Sequence, residues 1–428
     1  MKFNPSLHKL SNGLCVALDP MDIETVYAQI TFFTGGRDES PNEYGITHFC
    51  EHMLCKETTR FDSAKQRMDY LENNGGYSNA STSTKRLTIY GRIVAENLNI
   101  LLDTFADQLQ NKLFKPETIE KEKNIVIDEL NRSLNNNSEK MSDFFDKVLF
   151  NWYVPNGQIT LGNEDTIKSF TREQLFAFFN RRFSAKNCMI TISGKIKDEK
   201  ETLAYIEKLF SFLPNHDVSE NTELKYTPII AHNNQIKKDT IHVAVLFPDL
   251  RENTYENRLK NIALGYFEQY LSNELLNTVR FEKGLVYDIT TDTFGNEKTG
   301  LNAIVTQTTP ERIAEVVAAM SKACFHVYQE KHISEQELQR YKNFDKLPMA
   351  DFLENAKGRA KRITNFWHHY NRLYDFDKSK AETNSITVQN IIDASRGYFD
   401  GPMSIITQGA DFDADLKQIW ENNFKGDM

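Results

Sequence analysis

The chain has 428 residues, of which 40% are hydrophobic and 26% charged, and its formal net charge is -9. This length exceeds that of one ordinary core, so two or more domains are expected, and the composition excludes a disordered chain. The negative charge disfavours nucleic acid and anionic membrane surfaces as partners.

The cysteines and the first residues indicate the compartment. The five cysteines are an odd number and form no C-x-x-C pair, which is typical of free thiols in a reducing environment. No apolar signal segment follows Met1, and no run of about 18 apolar residues occurs anywhere in the sequence. We therefore expect a cytoplasmic protein without a membrane partner.

The first half of the chain predicts an α+β domain. Period-2 alternation indicates strands, and 3.6-residue periodicity with capping residues indicates helices. In chain order, the predicted elements are strands at 14–18 and 28–33, a helix at 45–54, a strand at 87–92, helices at 95–113, 116–131 and 174–183, and a strand at 188–194.

The second half repeats this order at a nearly constant offset, which matches Phe170 to Ile386. Its predicted elements are strands at 241–247 and 300–306, a helix at 310–328, another that begins after Ser334, a helix that ends near 399, and a strand at 403–407. We predict two homologous domains, 1–215 and 236–428, each a mostly antiparallel sheet backed by helices, with a polar linker at 216–235.

A candidate metal motif lies in the predicted helix 45–54. The segment reads His48-Phe49-Cys50-Glu51-His52, and a helix start signal at 40–43 precedes it. On a helix, His48 and His52 lie one turn apart on one face, so both imidazoles can reach one ion. Glu51 shares that face and can accept a proton from an attacking water. This is the inverted zinc motif H-x-x-E-H, and the alternative is a surface histidine pair beside an ordinary Glu.

A third ligand is needed, because catalytic zinc usually has three protein ligands and an open position. The candidate helix 116–131 carries Glu122 and Glu129 two turns apart on one face. The residues alone favour the alternative that this is a charged solvent-facing surface.

Together these segments resemble the M16 peptidases, which have the M16 or LuxS-like metallohydrolase fold. In that family a Glu about 80 residues after the first His is the third zinc ligand, in a pattern like V-I-x-E-E-I. Residues 125–130 are similar to that pattern. The resemblance implies that Glu129 is the ligand, with one Zn²⁺ per chain, and that Glu122 is a supporting carboxylate of the catalytic site.

The resemblance also implies a substrate site. Residues 75–83 are similar to the family's G-G-x-x-N-A-x-T-S, an edge strand in which Asn79 and Ala80 would pair with substrate backbone. Residues 280–287 match R-x-x-x-G-L-x-Y, which implies substrate binding by Arg280 and Tyr287 and stabilisation of the oxyanion by Tyr287. One departure follows the zinc motif, where Cys55-Lys56-Glu57-Thr58 replaces F-x-G-T.

The implied activity is that of a zinc endopeptidase, which cuts extended peptides or unfolded polypeptides with Glu51 as general base. This length corresponds to a half-length family member, so the resemblance implies a chamber enclosed by two chains. A homodimer is expected, and a heterodimer with a related chain is the alternative. The rival function is a non-catalytic or heterodimer-dependent peptide-binding relative of the same fold.

Overall fold

A computed structural model describes residues 3–219, 224–234, 239–295, 299–330 and 332–425. The described chain divides into two compact units. Unit 1 comprises the described residues within 1–136, 153–222 and 348–376, and unit 2 comprises those within 137–152, 223–347 and 377–428. The predicted domain limits at 215 and 236 stay a prediction. Residues 220–223 and 235 of the predicted linker lie outside the described residues.

The described strands are given in chain order. They are β1 Ser6–Lys9, β2 Cys15–Pro20, β3 Thr25–Phe32, β4 Gly76–Thr82, β5 Leu87–Val94, β6 Gly157–Gln158, β7 Gly162–Asn163, β8 Cys188–Gly194, β9 Ile230–Asn233, β10 Ile241–Pro248, β11 Ile289–Gly295, β12 Gly300–Thr308 and β13 Ser404–Gly409.

The described residues also form α-helices, which are named in chain order. They are α1 Ile46–Leu54, α2 Ala64–Asn73, α3 Leu98–Gln110, α4 Pro116–Leu134, α5 Asn137–Phe150, α6 Glu164–Ser169, α7 Arg172–Arg182, α8 Glu199–Phe210, α9 Arg258–Leu275, α10 Ile313–Phe325, α11 Glu335–Phe344, α12 Lys346–Glu354, α13 Ala356–Tyr370, α14 Phe376–Ser385, α15 Val388–Ser395 and α16 Leu416–Asn423.

Unit 1 contains a six-stranded sheet in the order β1-β2-β8-β3-β5-β4. Its neighbours are antiparallel except for β2 and β8, which run parallel. One face of this sheet shares a core with α1, where Phe49 packs with Ile30 and Ile89. Helix α13 packs against the same sheet, and Thr364 of this helix accepts a hydrogen bond from Gln29 Nε2 at 2.8 Å.

Unit 2 contains a five-stranded sheet in the order β9-β13-β10-β12-β11, in which only β9 and β13 run parallel. This order repeats β2-β8-β3-β5-β4 of unit 1. The repeated strands at 188–194 and 403–407 are β8 and β13, which occupy the same place in the two sheets. The predicted α+β class, with two related and mostly antiparallel sheets, is therefore confirmed.

The role of the helix start signal differs from the sequence interpretation. The start signal at 40–43 caps its own short 3₁₀ turn, Pro41–Glu43, where Ser40 N–H meets a Glu43 carboxylate oxygen at 3.4 Å. Helix α1 itself begins at Ile46.

Within the described residues, none of the helices combines the length and apolar character that a bilayer crossing requires.

Candidate metal centre

The start of α1 is fixed by a glycine and a buried carboxylate. Gly45 has φ +87, and a Cβ there would lie 2.3 Å from the carbonyl oxygen of Leu161. Only glycine fits such a position without strain. The Glu39 carboxylate accepts hydrogen bonds from Gly45 N–H at 2.6 Å and Thr47 N–H at 2.8 Å. These bonds satisfy N–H groups that a helix start leaves unpaired. Burial raises the pKa of Glu39 to about 8 despite these donors.

The two histidines of α1 converge on one carboxylate of α4. His52 Nε2 lies 3.5 Å from Glu129 Oε2, and His48 Nε2 lies 3.9 Å from the same oxygen. The ligand atoms of all three residues lie within 4.8 Å of one another. The structure thus brings together the three residues that the sequence interpretation proposed as metal ligands.

The spacing of these atoms fits a zinc ion. Tetrahedral zinc with Zn–N and Zn–O bonds of about 2.0–2.1 Å holds its ligand atoms about 3.4 Å apart. The distances of 3.5 and 3.9 Å are close to that separation. Two imidazoles and one carboxylate also form a donor set typical of catalytic zinc, with a fourth position left for water or substrate.

The histidine protonation state suits metal binding. His48 is buried, and burial together with the nearby His52 lowers the pKa of His48 to about 3. Its imidazole is therefore neutral at pH 7, as a metal ligand must be.

Glu122 supports His52 from the side away from Glu129. Its carboxylate oxygen Oε2 lies 3.0 Å from His52 Nδ1, which carries the proton because an ionised carboxylate can only accept. Lys56 Nζ lies 2.6 Å from the other oxygen. Burial favours neutral Glu122, but the hydrogen bonds from His52 and Lys56 outweigh it and lower the pKa of Glu122. This arrangement orients the imidazole and leaves Nε2 free for a metal.

The two α4 glutamates have different environments. The Glu122 side chain is 4% exposed, whereas the Glu129 side chain is 44% exposed. The alternative of an ordinary solvent-facing surface is therefore wrong for Glu122.

Glu51 lies among the same groups. Burial raises the pKa of Glu51; Thr82 and His52 act to lower it, and the charge of Glu129 raises it further. A raised pKa brings a carboxyl group closer to the range in which it can both accept and return a proton.

Strand β4 forms an edge of the unit 1 sheet, with its pairing partner β5 on one side only. Ser83 N–H donates to Arg86 O at 2.9 Å, so Ser83 and Arg86 form a hydrogen-bonded pair. Because such pairs alternate along antiparallel strands, the backbone N–H and C=O groups of Ser78, Ala80 and Thr82 point away from β5. Ala80 N–H instead meets Asn79 Oδ1 at 2.8 Å. Ala80 thus presents its backbone at the free edge, and Asn79 reaches that edge with its side chain.

Arg280 and Tyr287 belong to unit 2. Arg280 lies in the helical segment Leu276–Glu282, and its guanidinium carbon is 5.1 Å from the centre of the Tyr287 ring. Tyr287 is 85% exposed. The structure brings these two predicted substrate-binding residues together, and their roles stay predictions.

Three contributors to the site were missed in the sequence interpretation: Glu39, Lys56 and Thr82. Lys56 lies in the segment that departs from the family pattern, and this departure was a usable signal. Thr82 is a fixed position of the G-G-x-x-N-A-x-T-S pattern at 75–83, which predicted no role for its side chain. Glu39 acts across the turn that precedes α1, and its position in the sequence alone did not predict that contact.

Comparison with known families gives two matches. Residues 16–152 match the family described as Insulinase (Peptidase family M16), and residues 169–344 match the family described as Peptidase M16 inactive domain. The first range contains the whole candidate metal centre. The second covers the region of Arg280 and Tyr287.

Individual relatives were found in bacteria and plants. A Rickettsia felis protein named "Uncharacterized zinc protease" is 30% identical over 296 residues, which cover 68% of this chain and 70% of the relative. The probable mitochondrial-processing peptidase subunit beta of Arabidopsis thaliana is 32% identical over 205 residues, 48% of this chain and 38% of the relative. The crystal structure of a protease from Helicobacter pylori, 17% identical, has a TM-score of 0.78 and covers 96% of this chain and 100% of that chain. At that identity the likeness concerns the fold alone.

Proposed function

Because this chain belongs to peptidase family M16, we propose that it is a zinc-dependent endopeptidase that hydrolyses extended peptides or short unfolded polypeptides. Family membership supports a peptidase-type function, and the zinc protease relatives support a metallopeptidase. The observation that carries the proposal is the convergence of His48 Nε2, His52 Nε2 and a Glu129 carboxylate oxygen. These three residues would hold one Zn²⁺ per chain.

The chemistry divides between the ion and Glu51. When bound, zinc supplies Lewis-acid chemistry, which polarises the scissile carbonyl and makes water acidic enough to attack near neutral pH. Glu51 takes the proton of the attacking water on its carboxylate and returns it to the leaving amine. Burial, which raises the pKa of Glu51, supports this double role because it makes the protonated form easier to reach.

Glu122 acts as a positioning residue through its contact with His52 Nδ1. The hydrogen bond fixes the ring orientation and the tautomer in which Nε2 can bind metal. Lys56 keeps Glu122 ionised, since its ammonium group lies 2.6 Å from the second carboxylate oxygen.

Substrate binding is proposed at the free edge of β4. An extended peptide can add there as a further strand, since Ala80 directs its backbone away from β5. The Asn79 side chain must then release Ala80 N–H and can bond to the peptide instead. We further propose that Arg280 binds substrate carbonyl oxygens, and that Tyr287 binds substrate and stabilises the developing oxyanion.

The proposed active form is a cytoplasmic homodimer with a closed chamber. One relative is named as a subunit, which supports assembly with a further chain. A heterodimer with a related chain stays the alternative. The rival function is a peptide-binding relative without catalysis, and the match of residues 169–344 to a domain described as inactive is the observation that favours it.

The test is cleavage of a mixture of unstructured peptides by protein of known oligomeric mass, before and after chelation and after zinc is returned. We expect products that disappear with the chelator and reappear with zinc. Absence of such products from the zinc-loaded homodimer would refute catalysis by this chain alone and favour the rival.

A further inference from the structure

Unit 1 contains a second concave site, on the other face of the sheet from α1. A cavity of about 430 Å³ is lined by residues of β3, β4, β5 and α13. Its volume lies within the range of about 300–1,000 Å³ that is usual for ligand pockets. None of the proposed metal ligands lines it.

The charge of this cavity is one-sided. The charged residues that line it are Arg86, Lys357 and Lys361, and no carboxylate of the described residues is among its lining groups. Arg86 donates to Asn365 Oδ1 on α13, which holds its guanidinium beside the cavity. A basic cavity in a chain with formal net charge -9 points to an anionic ligand.

The polar groups around these cations suit a carboxylate. The hydroxyl oxygens of Thr31 and Thr88 lie 3.2 Å apart, and both residues line the cavity. Lys357 Nζ lies 5.3 Å from the centre of the Tyr90 ring, which keeps the ammonium group at the wall. Hydroxyl and ammonium donors together form charge-assisted hydrogen bonds to carboxylate oxygens.

Strand β4 connects the cavity with the proposed catalytic site. Thr82 pairs with Leu87, which pairs in turn with Phe32, and both Leu87 and Phe32 belong to the core shared with α1. Ser81 pairs with Thr88 on the opposite face, where both residues line the cavity. Successive residues of this strand therefore face the α1 side and the cavity side of the sheet in turn, and Thr82 also contributes to the cavity wall.

A peptide that pairs with β4 must alternate in the same way, because neighbouring side chains of a strand point to opposite faces. From this geometry we propose that the basic cavity is a specificity subsite for an acidic side chain of the substrate. In the bound peptide, this Asp or Glu lies one or three positions along the sequence from the peptide residue whose side chain faces α1. This inference rests on the proposed function, since it assumes that substrate binds along β4.

The test is a series of peptides of one sequence, acetylated and amidated at their ends, in which a single Glu is moved through successive positions. Each has a matched Gln peptide, so that only a side-chain carboxylate differs. For the zinc-loaded protein we expect the ratio of kcat/KM for the Glu peptide to kcat/KM for the Gln peptide to be about 10 at alternate positions and near 1 at the positions between them. The Lys357→Ala/Lys361→Ala variant should bring this ratio close to 1, whereas Lys200→Ala, an exposed lysine of α8, should not.

Salt and binding measurements make the outcome decisive. The Glu preference should fall in about 1 M salt, since exposed lysines are strongly screened. Binding of labelled peptides to Glu51→Gln protein, measured by fluorescence anisotropy, should show the same Glu over Gln preference without turnover. Equal binding of both peptides would overturn the inference and identify the cavity as a solvent-filled gap. If cleavage stays chelator-sensitive but indifferent to Glu, the proposed function stands and the subsite does not.

Discussion

The support of His52 by Glu122 gives a quantitative prediction. The substitution Glu122→Gln keeps the side-chain shape but removes the charge that lies 3.0 Å from His52 Nδ1 and 2.6 Å from Lys56 Nζ. The amide can present its NH₂ group to Nδ1, so the ring loses its preferred tautomer. Loss of such a supporting partner lowers metal affinity by about 10- to 100-fold, which corresponds to about 1.4–2.8 kcal/mol.

The assay is competition for zinc between the protein and a fluorescent chelator of known affinity. Glu120→Gln is the matched control, since Glu120 lies on the exposed side of α4 and its carboxylate pairs with Lys123 Nζ at 2.7 Å. The control should bind zinc like the wild type. A Glu122→Gln protein that folds normally and binds zinc within about twofold of the wild type would refute the proposed role of Glu122.

Three further substitutions test the site and its scaffold. Glu129→Gln should weaken zinc binding more than Glu122→Gln does in the same competition assay, because it replaces a proposed ligand; an unchanged affinity would remove Glu129 from the site. Gly45→Ala should lower the free energy of unfolding, measured by urea titration, by about 1–3 kcal/mol, because φ is +87 at this position. The control is Gly265→Ala in α9, which should be neutral or stabilising because no atom lies within 4 Å of the added Cβ. Arg359→Ala should lower the free energy of unfolding by about 3–5 kcal/mol in the same titration. Both side chains of the Asp19–Arg359 ion pair are 0% exposed, so the substitution leaves the Asp19 carboxylate buried without its cation. A decrease of less than about 1 kcal/mol would contradict this.

The parts of the site that sequence could predict are those with short-range patterns. His48 and His52 are one helical turn apart, so any helix at this position places them on one face. Glu129 is different, because its approach to the histidines depends on the packing of α4 against α1. The residues alone favoured a solvent-facing helix, and only the family resemblance indicated the ligand.

The parts that sequence could not predict depend on long-range contacts. Residues 356–370 lie within the predicted second domain, 236–428, yet they form α13, which packs against the first sheet in unit 1. The bond from Gln29 to Thr364 and the ion pair of Asp19 with Arg359 join residues more than 300 positions apart. No periodicity in either segment reports such a contact. The capping signal at 40–43 was assigned to the wrong element for a local reason, because it serves a separate turn.

The central claim is that a metal held by His48, His52 and Glu129 acts together with Glu51 as base. It is tested most directly by measuring zinc content and peptide cleavage in parallel on the wild type and on Glu51→Gln. We expect one zinc per chain in both proteins, and we expect the variant to lose at least about 100-fold of the cleavage activity of the wild type. Full cleavage by zinc-loaded Glu51→Gln, or a wild type that cleaves without bound metal, would contradict it.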